Sequence, residues 1–291
     1  MSTIMSFIKK HPVLTYFALT FTISWGSVLL VIGGPSKMLV TREQIETLLP
    51  ILILTMLAGP TVAGLVLTGL IDGRAGFREL RSRLLRWRVG AFWYAVALLT
   101  SPLLATAILL ILLPSSPVFL PGIFASDDKT TFLLLGITSG LVVGFFEELG
   151  WTGFATPRLR LRFGVLATGL ILGFLWGAWH SFLAFCGNST SSGALSLALF
   201  LPEFLYYVTV LPAYRVLMVL IYDRTSSLFV AVLMHASLTA SVPFILMPLG
   251  ISGVSLMTWY ILLATALWVF VAVVQRRAQT LPQQTREPLP G

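Results

Sequence analysis

The chain has 291 residues, of which 57% are hydrophobic and 10% charged, and its mean hydropathy is +0.92. That leaves too little polar surface for a globule of this size in water, which excludes a soluble enzyme or a cytosolic binding module. The formal charge of +8 is distributed between apolar runs as membrane topology requires, so no nucleic-acid partner is expected.

Apolar stretches of about 20 residues, the length that spans a ~30 Å hydrocarbon core, occur at 13–32, 48–71, 91–113, 131–151, 165–184, 195–219, 227–247 and 254–274. The expected fold class is therefore all-α, a polytopic membrane helical bundle of about eight transmembrane helices. The first run follows Lys9 and Lys10 as a signal peptide would. It is longer than a signal-peptide core and lacks a small-x-small cleavage site, so it reads as a retained span. The 19 Lys and Arg alternate between the two sides. Sixteen fall on one side, chiefly in 74–88, 158–162, 215–224 and 276–286, and only Lys37, Arg42 and Lys129 on the other. Cytoplasmic loops retain positive charge, so both termini are expected in the cytoplasm. The arginines of 74–88 are also placed to meet anionic lipid headgroups. A single transmembrane domain is expected over 1–277, and a disordered, proline-rich cytoplasmic tail over 278–291. The lone Cys186 forms no intrachain disulfide.

Within the fourth run, TFLLLGITSGLVVGFFEELGW, two adjacent carboxylates, Glu147 and Glu148, lie at membrane depth, as do His180 and His235 in later runs. Ionisable groups in hydrocarbon are costly, so they face a bundle interior and usually serve chemistry or ion movement. Taken singly, His235 reads more readily as an interhelical hydrogen-bonding group than as a catalyst. Together, two carboxylates and two imidazoles supply what peptide hydrolysis requires: a base for water, an acid for the leaving amine and donors for an oxyanion. Gly136, Gly140 and Gly144 share a helical row with Glu148, and Gly169, Gly173 and Gly177 precede His180. Small-residue rows permit close helix approach, and these two are expected to bring the fourth and fifth helices together. Arg215, Asp223 and Arg224 read as interfacial charges; Glu203, beside Pro202, has room to line the same cavity but reads more readily as a group facing loop water or a helix end.

Three segments carry a resemblance: FFEELGWTGFATPRL at 145–159, GFLWGAWH at 173–180 and RVLMVLIYDRTSSLFVAVLMHAS at 215–237. Their order and spacing resemble the CPBP family, the CAAX-prenyl-protease and bacteriocin-processing (Abi) intramembrane endopeptidases, over about residues 130–245. The resemblance implies an endopeptidase in which Glu147 activates water, Glu148 supports it, and His180 and His235 position the water and stabilise developing charge. It leaves metal use open. Glu147, His180 and His235 could chemically hold zinc, but no H-E-x-x-H motif is present, and a water held directly by these groups is the preferred reading. The implied partners are a membrane peptide or protein substrate and the lipid bilayer, and the implied location is the plasma membrane of a prokaryote.

The chain departs from the family pattern at three positions. Thr152 stands where the family has Arg, four residues beyond Glu148, so a compensating cation is expected to be missing. Trp176 replaces a frequent Phe, an exchange expected to matter little. Thr239 stands where Asn is usual, four residues after His235. A threonine hydroxyl supplies one donor, without the amide's pair of N–H groups and carbonyl, and Thr239 is the candidate oxyanion donor. These departures keep two other functions open: a catalytically weak or inactive relative acting as a membrane binding or scaffold protein, and a proton-linked transporter.

Overall fold

A computed structural model describes residues 3–190 and 193–280. Among the described residues, eight helices are long and apolar enough to cross a membrane. They are numbered here α1 (Pro12–Val31), α2 (Arg42–Leu84), α3 (Ala91–Leu112), α4 (Lys129–Gly150), α5 (Val165–Gly187), α6 (Leu197–Thr225), α7 (Leu228–Ala240) and α8 (Gly253–Thr280). Among the described residues there is no strand, only isolated bridges of Ser189 with Thr41 and Leu195. Large side chains such as Leu30, Leu103 and Ile111 remain exposed on the periphery, where lipid rather than water satisfies them.

Several helices outrun the apolar stretches that announce them. α2 opens on a capping box in which Thr41 Oγ1 accepts from the Gln44 amide and the Gln44 side chain accepts from the Thr41 amide. It then continues to Leu84, broken at Gly73 (φ 60°, ψ −145°). Glycine tolerates this conformation, and the break separates the apolar span from the arginine-rich turns beyond it. α4 passes into a π-helical turn, Trp151–Ala155, and a further helical turn, Thr156–Arg160. Pro157 lacks the N–H that would bond the Gly153 carbonyl, the ordinary cause of such a local shift of register. α7 ends in a second π turn, Ser241–Ile245, which contains Pro243. α8 runs three residues into the segment expected to be disordered; the remainder of that tail, 281–291, lies outside the described residues.

Alternate loops gather at opposite ends of the bundle. At one end Arg158 pairs with Asp72, Arg160 bonds Asp223 at 2.6 Å, Arg83 donates to the Tyr222 hydroxyl at 2.8 Å and Ser227 to the Arg86 carbonyl at 2.6 Å. At the other, the Val40 amide donates to the Cys186 carbonyl and the Gly122 amide to the Leu246 carbonyl. The basic loops therefore share one end, as their charge pattern requires.

The glycine rows do not face each other. A Cβ on Gly136, Gly140 or Gly144 would meet α7 or the π turn after it, at Ile245, Ala236 and Val232, so this row seats α4 on α7. A Cβ on Gly169, Gly173 or Gly177 would meet Val216, Pro212 and Tyr207, so the second row seats α5 on α6. Each row serves a different neighbour, and α4 and α5 approach the same interior through these partners.

Candidate active site

Because α4 continues past Trp151 to Arg160, Glu147 lies ~20 Å along its helix from the basic end, and His180 lies ~22 Å from the start of α5, at 1.5 Å per residue. The two groups therefore reach similar depth. Glu147, His180, His235 and Thr239 line one cavity of about 380 Å³ enclosed mainly by α2 and α4–α7. A neighbouring, mostly apolar cavity of about 670 Å³ shares Glu203, Phe244, Met247 and Tyr260 with it.

The adjacent glutamates have different surroundings. Glu148 is fully buried away from the cavity. Its Oε1 and Oε2 each accept from Arg215 Nη1 at 2.9 Å, Oε1 also lies 2.7 Å from His235 Nδ1, and Oε2 accepts from the Thr152 hydroxyl. Glu147 faces the cavity and receives neutral donors instead. Its Oε2 accepts from Trp176 Nε1 at 2.7 Å and Trp151 Nε1 at 3.1 Å.

The partners fix the histidine tautomers. His180 Nδ1 lies 3.0 Å from the Trp176 carbonyl oxygen, which can only accept, so Nδ1 carries a hydrogen and Nε2 is the free position. His235 Nδ1 gives its hydrogen to Glu148 by the same reasoning when that carboxylate is ionised beside Arg215. Both imidazoles flank Trp176, at centroid distances of 5.5 Å for His180 and 4.9 Å for His235. His180 also stacks on Tyr207 at 5.2 Å. Among the described residues no group of three His, Cys, Asp or Glu is arranged to hold a metal ion, so no chemical step is assigned to one.

Three expectations require correction. Arg215 is not interfacial: it lies ten residues before the end of α6, is fully buried, and supplies to Glu148 the cation that Thr152 does not. The signal was available, since Arg215 falls inside the apolar run 195–219; removing it from the loop count leaves fifteen basic residues against three and the same topology. Trp176 brings a bond that the family's Phe has no atom to make, from its N–H to Glu147. Glu203 lines the cavity and accepts from Asn188 Nδ2 at 3.1 Å.

Residues 129–241 match the family model described as Rce1-like, type II CAAX prenyl endopeptidase. A curated relative named CAAX prenyl protease 2, from Methanococcus maripaludis, is 25% identical over 112 residues, covering 38% of this chain and 39% of that protein. The matched segment runs from the start of α4 to the end of α7 and contains every candidate site residue. Over these residues, less than half of its length, this integral membrane protein is similar to the CAAX-protease-type proteins of the CPBP family.

Proposed function

We propose that this protein is an intramembrane endopeptidase that hydrolyses a peptide bond in or beside the bilayer. The observation that carries this reading is one cavity lined by Glu147, His180, His235 and Thr239, with Glu148 and Arg215 buried behind it. Glu147 takes a proton from water as the water oxygen bonds to the scissile carbonyl carbon. Nε2 of His180 accepts a hydrogen bond from the second water hydrogen, which stays on the water oxygen, and holds the nucleophile in line. Electron density moves to the carbonyl oxygen, which accepts from the Thr239 hydroxyl and from Nε2–H of His235, whose ring carries a hydrogen on both nitrogens at this step with Glu148 behind it. The carbon–nitrogen bond then breaks, and the proton on Glu147 passes to the departing nitrogen, giving a carboxylic acid and an amine and restoring the Glu147 carboxylate.

The apolar neighbouring cavity suits a membrane peptide or a peptide segment entering from lipid. By the positive-inside rule the basic end of the bundle is cytoplasmic, both termini included, in a prokaryotic plasma membrane. Residues 1–277 then act as one domain. A non-catalytic scaffold is the second reading, favoured by threonine in place of the family's asparagine at position 239.

The test is cleavage of a membrane-peptide library by the purified protein in lipid nanodiscs, with Glu147→Gln and His235→Ala at matched folding, and with and without chelator. Cleavage lost in both variants is expected. Absence of cleavage by the native protein, or cleavage indifferent to both changes, refutes the reading, and the chelator arm separates metal-dependent from metal-independent hydrolysis.

A further inference from the structure

We infer that Trp176 is a positioning residue for Glu147, an assignment that rests on the proposed hydrolysis. A buried glutamate has three side-chain torsions to order, and a base out of line by an ångström loses much of its effect. The Trp176 indole addresses this with both its edge and its face. Its Nε1–H reaches Glu147 Oε2 at 2.7 Å, within the range of charge-assisted bonds. Trp151 Nε1 donates to the same oxygen at 3.1 Å, so two donors from different helices converge on Oε2 and neither occupies Oε1.

The ring face holds Trp176 itself in place. Arg215 Cζ lies over it, 4.2 Å from the centroid. Arg215 Nε and Nη2 are buried without a hydrogen-bond partner, and the π face gives that side of the guanidinium an attractive contact. Trp176 is only 2% exposed and lies between His180 and His235. The ion pair of Glu148 with Arg215 thus fixes an indole whose N–H fixes Glu147, coupling the two adjacent carboxylates through a side chain on α5.

A packing role and a donor role predict different kinetics. Replacing Trp176 by β-(3-benzothienyl)alanine preserves ring shape and face but removes the N–H, and Trp176→Phe does the same with a smaller ring. Both would be assayed in nanodiscs on a peptide that the native protein cleaves, beside Glu147→Gln. The benzothienyl protein is expected to melt within a few degrees of the parent, with kcat at least tenfold lower, equivalent to 1.36 kcal/mol, and KM within twofold. The Phe variant should lose kcat to a similar extent. A benzothienyl kcat within threefold of the parent, or a loss expressed in KM, overturns the assignment; should that protein not fold, the Phe variant decides by the same criteria. Full activity in Glu147→Gln would instead refute the underlying hydrolytic reading.

Discussion

Arg215 Nη1 lies 2.9 Å from both carboxylate oxygens of Glu148, and both side chains are fully buried. Desolvating such a pair costs much of what its attraction returns, so the pair itself is weak evidence of stability, whereas removing one partner leaves an uncompensated charge. Arg215→Met is therefore expected to destabilise the protein by about 3–5 kcal/mol. Adding Glu148→Gln should recover most of the loss, because the stranded charge is gone. A double-mutant cycle by reversible unfolding in bicelles checks this; additive losses would show that the two residues do not act as a pair.

Thr152 donates to the same carboxylate from the π turn that follows α4. The family resemblance puts arginine there, and we predict that a cation at either position can serve Glu148. Thr152→Arg alone should lower stability and activity, since it crowds a site only 2% exposed and brings a second cation against Arg215. Thr152→Arg with Arg215→Met should regain at least half of both. Thermal melting and peptide cleavage of the three proteins test this, and a double variant no better than the single one refutes the exchange.

These contacts mark where sequence reading succeeds and where it stops. The eight spans are legible because a helix that crosses hydrocarbon must be long and apolar. Their ends are less so: at the basic end, pairs such as Arg158 with Asp72 and Arg83 with Tyr222 carry α2, α4 and α6 past their apolar runs. Glu147, Glu148, His180 and His235 stand out because ionisable groups are rare at such depth. Arg215 is just as rare, but loop-charge reasoning assigns it to the surface. Trp151 falls four residues beyond Glu147, on the same helical face, so its contact is legible; the Trp176 donor leaves no signal, since nothing in its sequence neighbourhood specifies the acceptor its N–H meets.

The glycine rows illustrate the same limit and carry their own prediction. Spacing reveals that a helix can approach, not which helix does. On Gly140 a Cβ would run into the Ala236 carbonyl oxygen, and on Gly173 into the Pro212 backbone. Backbone cannot yield as a flexible side chain can, so Gly140→Ala and Gly173→Ala should each cost about 1–3 kcal/mol. Gly140→Ala moves α7, which bears His235, and should lower kcat as well. Gly26→Ala, where a Cβ has nothing within 4 Å, should leave the melting temperature nearly unchanged. Parallel melting and turnover measurements separate the three.

Thr239 lines the cavity one helical turn beyond His235, where its hydroxyl is the proposed second donor to the oxyanion. Thr239→Val removes that hydroxyl at nearly constant volume. Losing one oxyanion donor costs about 10²–10³ in kcat where the donor is fully engaged; for a single hydroxyl beside an intact histidine, the lower end of that range is expected. Thr239→Asn restores the group expected from the family resemblance and should match or exceed the parent kcat, because an amide N–H extends further toward the carbonyl oxygen. If valine turns over as fast as threonine, the oxyanion is stabilised without Thr239 and His235 carries that role alone.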